Sequence, residues 1–463
     1  MGDNENSQPE PTPSLKSGMD ARSAPSATDG VGGTSTDATE VGSYFISNYP
    51  PYSFWGREEV EHAEAALHRP SSTDTPLGLY LHIPFCRKRC KFCYFRVYTD
   101  KNSKDVERYV AGLAREVEIY SQLPVVQSRR FRFAYFGGGT PSFLSEKQLH
   151  GLVDRLRAFV DWDDAEEVTF ECEPGTLSRS KLEAIREIGT TRLSLGVENF
   201  NDDVLEENGR AHRSPEVFRT FEWARDVGFP QVNVDLISGM VGETDENWRD
   251  CVERTKELAP DSVTIYQMEL PFNAVYAGEL QEGAVRVADW RQKRLWVDYA
   301  FRELEAAGYK VSSAYTLVRD PDVQFVYRDA LWHGADMIGT GVASISHVDG
   351  VHYQNLDTDV AYLDAIDQGR LPLGRALPLS QDERLIRELI LQLKLGHVAP
   401  AYFSKKFGVD IRERFQAVLA DLERDGFLER GESEIVLTRA GLLRVDGLLP
   451  VFFQEKHRGA RYT

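Results

Sequence analysis

Six times between residue 78 and about residue 318, a short run of β-forming residues is followed by a stretch patterned as an amphipathic helix. The runs are GLYLHI (78–83), FRFAYF (131–136), EVTFE (167–171), RLSLGVE (192–198), QVNVDLI (231–237) and SVTIYQM (262–268). After the first, the 3.6-residue period predicts a helix near 103–123, with Val106, Val110, Leu113 and Val117 on one stripe. A second helix is predicted near 145–160. The third opens at SRSKLEAIREIG, with Ser178 as N-cap and Gly189 as stop signal. The strands read as near-continuous apolar runs, the pattern of a parallel sheet covered on both faces. Six such units fold either as an incomplete barrel or as a doubly wound sheet. Periodicity does not choose between them.

Both architectures collect chemistry at the C-terminal ends of the strands. The unusual residues fall there. Cys86, Cys90 and Cys93 follow the first strand and GGGTP (137–141) the second. Glu171 and Glu173 end the third, Glu198 ends the fourth, and Asp235 lies near the end of the fifth. This clustering predicts one shared site.

The flanks differ in composition. Residues 1–42 are rich in Ser, Thr, Pro, Gly and Asp and are expected to be disordered. Aromatic residues begin at SYFISNYPPYSFW (43–55), so 43–75 is read as a segment packing on the barrel. The (β/α)6 domain is placed at 76–320, a connecting segment that closes the active site at 321–370, and a helical module at 371–463. In that module DERLIRELILQLKL (382–395) and DIRERFQAVLADLERDGFLER (410–430) pattern as helices. FLERGESEIVLTRAG has the form of a hairpin beside them, which suggests a winged-helix-like unit without a basic recognition helix.

The formal net charge is −19, which repels phosphate backbones and argues against a nucleic-acid partner. No apolar run approaches the roughly 20 residues of a membrane span. The N-terminal stretch MGDNENSQPEPTPS carries no signal core, and a cytoplasmic location is expected.

Three of the five cysteines stand in FCRKRCKFCYF (85–95) as C-x3-C-x2-C. Structural zinc takes four protein ligands, usually from paired knuckles, and no second pair is present. Cys172 and Cys251 are remote in sequence. Three thiolates suit a [4Fe–4S] cluster that keeps one iron open. An open iron can chelate the amino and carboxylate groups of S-adenosylmethionine (SAM), and one electron then yields a 5′-deoxyadenosyl radical. Zinc and plain core thiols are the alternatives.

The spacing is similar to the signature of radical SAM enzymes. LYLHIPFCRKRCKFC, FGGGTPSFL, RLSLGVENF, NVDLISGMVGET and GTGVASIS together resemble the oxygen-independent coproporphyrinogen III oxidase family. NYPPY near the start and LTRAGLLRVDGLLPVFF near the end are also similar to that family. The resemblance implies a partial (β/α)6 barrel of TIM type with a C-terminal helical module. It implies that Cys86, Cys90 and Cys93 ligate the cluster, and that Tyr80, Gly138, Glu171 and Ile345 hold SAM. It further implies a second SAM at Phe92, Gly139, Thr140, Glu198, Arg210 and Asp235. The family usually has Gln at the position of Glu198, and a carboxylate there removes a donor and adds charge.

One departure bears on the reaction. True coproporphyrinogen oxidases of the family carry a cysteine two residues after the third ligand, where this chain has Phe95. That position is aromatic in the heme-chaperone and methylase-like branches. Trp332 and His333 are similar to a region of the chaperone branch, although a lone His beside Trp is more often a loop residue. The expected reaction is therefore C1 transfer. The deoxyadenosyl radical takes hydrogen from the second SAM, which then methylates or cyclopropanates an sp2 carbon of a small natural-product substrate. A flavodoxin- or ferredoxin-type electron donor and a partner methyltransferase go with this expectation. Oxidative decarboxylation of coproporphyrinogen III and heme trafficking are the alternatives.

Overall fold

The six runs form strands β1 (Leu77–Ile83), β2 (Phe131–Gly138), β3 (Glu167–Cys172), β4 (Arg192–Glu198), β5 (Gln231–Ser238) and β6 (Ser262–Gln267). They are all parallel and lie in the order 1-2-3-4-5-6. That order settles the architecture. A doubly wound sheet reverses its strand order at a switch point, which lets its helices cover both faces. A monotonic order with right-handed crossovers puts every helix on one face, so the sheet curls around the other. The curl stays open, because the far edge of β1 pairs with a later strand and not with β6.

The structure is a computed structural model describing residues 38–42, 45–70, 75–127 and 129–460, all within one compact unit, Asp37–Thr463. Residues 1–37 of the tail read as disordered lie outside the described residues. Among the described residues no helix is long and apolar enough to cross a membrane.

The strands are not continuously apolar, and this corrects the expectation drawn from their composition. They alternate. Leu79, Leu81, Phe136, Phe170, Leu193, Leu195, Val234 and Ile265 point to the helix layer and are at most 2% exposed. The residues between them are largely polar: Tyr80, Tyr135, Thr169, Glu171, Arg192, Ser194, Asn233, Asp235, Ser262 and Thr264. Register keeps this second set on one face: Tyr80 pairs with Tyr135, Tyr135 with Thr169, Thr169 with Arg192, and Ser194 with Asn233. The helix-covered face is the main hydrocarbon core; on the inner face a smaller apolar cluster gathers Phe133, Val326, Ala330, Ala335 and Met337.

Helices form where the period places them, with ends set by caps. Helix Ser103–Ser121 starts at Asn102, whose side chain accepts from the amides of Lys104 and Asp105. Helix Arg179–Glu187 starts at Ser178, which accepts from the Lys181 amide, and Gly189 follows with φ +98°.

The chain after β6 builds more sheet than the sequence pattern suggests. Strands β7 (Lys310–Val311) and β8 (Thr316–Val318) extend the β6 edge antiparallel. Residues 321–370 are not merely connecting. Their first part crosses the N-terminal ends of the barrel strands as a floor: Phe325 lies over the Arg192 guanidinium at 4.0 Å, and Tyr327 packs on Tyr135 at 4.3 Å. Glu167 caps the helix Val326–Trp332 there, accepting from the amides of Val326 (2.9 Å) and Tyr327 (3.2 Å). The chain then adds β9 (Asp336–Thr340), parallel to β1, and β10 (Ile345–Val348), β11 (Val351–Asn355) and β12 (Leu373–Pro378), which pair antiparallel in turn.

The C-terminal module holds helix Gln381–Leu393 and a small antiparallel sheet of β13 (His397–Val398), β14 (Leu428–Arg430) and β15 (Ile435–Leu437). The predicted helix over 410–430 is broken into Ile411–Arg414 and Gln416–Arg424, and its last three residues are β14. Residues 45–56 bind this module to the sheet extension. Tyr49 is fully buried against Phe453 and His457, and Trp55 stacks on His352 at 4.9 Å.

Candidate active site

The three cysteines lie on the loop that leaves β1, partly buried. Backbone bonds hold this loop: Cys86 N–H donates to Tyr98 O (3.0 Å), Lys91 N–H to Asn208 O (3.1 Å), and Cys93 N–H to Cys90 O (3.1 Å). Two polar groups aim at sulfur. Thr140 Oγ1 donates to Cys86 Sγ, and Arg210 Nη1 donates to Cys90 Sγ, both at 3.3 Å. Burial pushes the free thiols of Cys86 and Cys93 up to about 11 and about 12. Metal binding therefore has to displace protons here, and donors such as Thr140 and Arg210 offset the thiolate charge.

The glycine run after β2 serves close approach. Gly139 packs so near the cysteine loop that a Cβ would stand 2.9 Å from the Pro84 carbonyl carbon and 3.0 Å from Phe85 O. Gly138 has φ +112°, and a Cβ there would strike the His82 ring at 2.7 Å. No other residue type fits either position without displacing the loop.

Below the thiols the lumen carries three carboxylates. Glu171 accepts from Tyr135 Oη (2.6 Å) and from the Gly138 amide (3.2 Å). Burial lifts it to about 7 against the pull of those bonds. Asp235 accepts from Ser194 Oγ (2.7 Å) and Asn233 Nδ2 (2.9 Å), and burial raises it too. Glu198 sits at a register shift between β4 and β5 with φ +64°, a left-handed conformation that is costly for a residue with a Cβ. Arg210 lies 3.6 Å from it and also donates to Gly196 O at 2.6 Å. Burial lifts Glu198 to about 7. Carboxylates held in this state gain from a cationic ligand, which restores their charged form. The guanidinium groups of Arg192 and Arg210 share the lumen with these carboxylates and partly offset their charge.

The structure brings together Tyr80, Gly138, Gly139, Thr140, Glu171, Glu198, Arg210 and Asp235 around the lumen and the cysteine loop. Phe92 packs against the small apolar cluster that includes Val204, Met240 and Tyr276. Ile345 opens β10 and is 39% exposed, so the ordinary-core alternative for it is excluded. His333 is exposed; its ring meets the Asp329 carbonyl at 2.7 Å and the edge of Tyr402, which makes it a helix-end residue.

Sequence reasoning missed several members. Tyr135 and Asn233 belong to the polar lumen, and the period-2 alternation RLSLGVE and NVDL was the available signal. Glu173 was noted only as a strand end. It pairs with Arg87 inside the cysteine motif (3.0 Å) and lies 3.7 Å from buried His212. Burial alone would raise Glu173, but the bonds from His212 and Arg87 bring it down to about 2.

The residues fit a three-thiolate cluster: three half-buried cysteines on one pinned loop, donors on two sulfurs, and Cβ-free backbone against it. The fold and this site define a radical SAM protein. Residues 80–255 match the family model described as the radical SAM superfamily, and residues 379–444 match the HemN C-terminal domain. The chain belongs to the oxygen-independent coproporphyrinogen III oxidase-like family, whose members imply a [4Fe–4S] cluster and SAM. It is 30% identical to oxygen-independent coproporphyrinogen III oxidase of Pseudomonas aeruginosa, over 84% of this chain and 87% of that protein. It is 29% identical to heme chaperone HemW of Bacillus subtilis, over 81% of this chain and 99% of that protein. The solved structure of coproporphyrinogen III oxidase from Escherichia coli, a radical SAM enzyme, superposes with a TM-score of 0.77 at 25% identity, over 88% of this chain and 96% of that one.

These relatives correct the expected reaction. Methylation or cyclopropanation of a natural product, with its partner methyltransferase, finds no support among them, since they are named for coproporphyrinogen oxidation and heme handling. Phe95, which prompted that expectation, is one position, whereas these relatives match along most of the chain.

Proposed function

We propose that the protein is an oxygen-independent coproporphyrinogen III dehydrogenase, removing propionate carboxylates oxidatively to leave vinyl groups. The observation that carries this reading is the three-thiol loop set over an acidic lumen, within a fold that follows the Escherichia coli oxidase along 88% of the chain.

Cys86, Cys90 and Cys93 would hold the cluster. When bound, cluster and SAM would supply a 5′-deoxyadenosyl radical able to take a hydrogen atom from a propionate side chain, which would then lose CO2 and pass one electron to a one-electron acceptor, leaving the vinyl group. The chain's own groups do the rest. Glu171, fixed by Tyr135 and the Gly138 amide, takes the ammonium or ribose hydroxyls of SAM, both of which donate hydrogen bonds. Tyr80, stacked on Tyr135 at 5.7 Å, walls that side together with Gly138 and Ile345. Glu198, Arg210 and Asp235 lie on the β4–β5 side, where a second SAM fits beside Phe92, Gly139 and Thr140. Phe325 and Tyr327 close the floor and keep water from entering beneath. A small acidic one-electron donor of flavodoxin or ferredoxin type supplies the electron.

Phe95 favours a second reading, a heme chaperone, because it replaces the further cysteine of true oxidases. One experiment separates the two. Anaerobically reconstituted protein is given coproporphyrinogen III, SAM and a reductant, and tetrapyrroles are separated after oxidation. Protoporphyrin with matching 5′-deoxyadenosine supports the dehydrogenase. Unchanged coproporphyrin together with stoichiometric heme uptake overturns it in favour of the chaperone.

A further inference from the structure

The cysteine loop presents a feature that cluster binding does not explain. Tyr94 and Phe95, directly after the third cysteine, are 41% and 42% exposed, yet their rings stack with centroids 4.4 Å apart and planes 26° from parallel. The loop after β6 is tied to them, since Asn273 Nδ2 donates to Tyr94 O (2.8 Å) and Arg89 donates to Asn273 O (3.3 Å). That second loop exposes Phe272 (45%) and Val275 (46%). Exposed apolar side chains gathered on two tied loops at a barrel mouth mark a binding surface and not a core. The platform adjoins the cysteine loop itself: Tyr94 directly follows Cys93, whose carbonyl accepts from Arg89 at 3.2 Å.

The same loop carries cations without carboxylate partners. Among the described residues Lys88 makes no ion pair within 4.0 Å, and Arg89 donates only to backbone carbonyls, those of Cys93 and Asn273. In a chain of net charge −19 this sets exposed apolar surface beside two cations that make no ion pair within 4.0 Å among the described residues.

We infer that Tyr94 and Phe95 form the platform for one face of a tetrapyrrole, with Lys88 and Arg89 meeting its carboxylates. This rests on the tetrapyrrole reading above and deepens it: the aromatic pair that replaces the oxidase cysteine is a ligand subsite. A pyrrole ring of the macrocycle gains from stacking on the outer face of the aromatic pair, and the propionates gain from nearby cations.

The test is direct binding, without turnover. Full-length, cluster-reconstituted protein is titrated with coproporphyrin III, the unreactive oxidised macrocycle, and separately with heme, reading fluorescence and Soret shifts. Tyr94→Ala/Phe95→Ala is expected to weaken coproporphyrin binding about tenfold, the upper end of one aromatic stacking contact. Iron content and SAM affinity stay at wild-type values, which shows that the loop is intact. Tyr94→Phe should keep the affinity, and Lys88→Glu should weaken it and flatten or reverse its salt dependence. If the double variant binds like wild type, the platform is overturned and the proposed function stands. If wild type binds neither macrocycle, both fall.

Discussion

The two faces of the barrel strands answer to different demands. The outer face is hydrocarbon: Leu195, Phe170 and Val234 are at most 1% exposed beneath the helices. The inner face, one residue along the same strands, holds Ser194, Glu171 and Asp235, three groups linked to neighbours by hydrogen bonds. Outer residues make the fold favourable by leaving water. Inner residues cost desolvation, a cost that the proposed function assigns to ligand binding. Because the period is two, a single strand supplies both without compromise.

Substitutions should separate the faces. The largest effect is expected at the lumen's metal end: Cys90→Ala abolishes cluster assembly, read as lost iron and lost visible absorbance, and leaves the unfolding midpoint nearly unchanged. Next is the outer face. Phe170→Ala should destabilise by about 3–5 kcal/mol, measured by denaturant unfolding, through the cavity it leaves. A loss below about 1 kcal/mol would mean that the helix layer is not the core. Third, Asp235→Asn should cost less than about 1 kcal/mol, because it removes a buried charge, but should weaken SAM binding severalfold in equilibrium dialysis. A stability loss as large as that of Phe170→Ala would erase the contrast between the faces.

The smallest effect is a pH slope. Glu116 is buried where its carboxylate accepts from the Gly341 amide (2.7 Å), Tyr362 Oη (2.7 Å) and Asn355 Nδ2 (2.6 Å). Burial lifts it from 4.5 to about 7 despite those bonds. Between these values the native state keeps a proton that the unfolded chain has released, so stability falls as pH rises from 4.5 to about 7 and levels above it. Glu116→Gln should flatten that part of the profile. An unaltered slope would show that Glu116 is already ionised.

The same comparison explains what could be foreseen. The six strands and the caps at Ser178 and Gly189 are local patterns and were legible. The cysteine motif was legible too, because three thiols at that spacing serve few chemistries. The polar lumen was overlooked because Leu, Val and Ile dominate each run, although RLSLGVE alternates strictly. Strands β9 to β12 were not legible. Their pairing is non-local, and DMIGT and VHYQN carry too little pattern to announce an edge. Glu173 with Arg87 and His212 joins three distant segments, a contact that no single-sequence period contains. The reaction was misjudged because it rested on one position, Phe95, while the relatives that overturn it match along most of the chain.

The central claim is that three thiolates leave a cluster corner open to SAM above an acid-lined lumen. Electron paramagnetic resonance of the anaerobically reduced protein, recorded with and without SAM, tests it most directly. The account predicts a [4Fe–4S]+ signal that shifts on adding SAM, with the shift weakened in Glu171→Gln. A reduced cluster whose spectrum ignores saturating SAM, or zinc in place of iron on Cys86, Cys90 and Cys93, would contradict it.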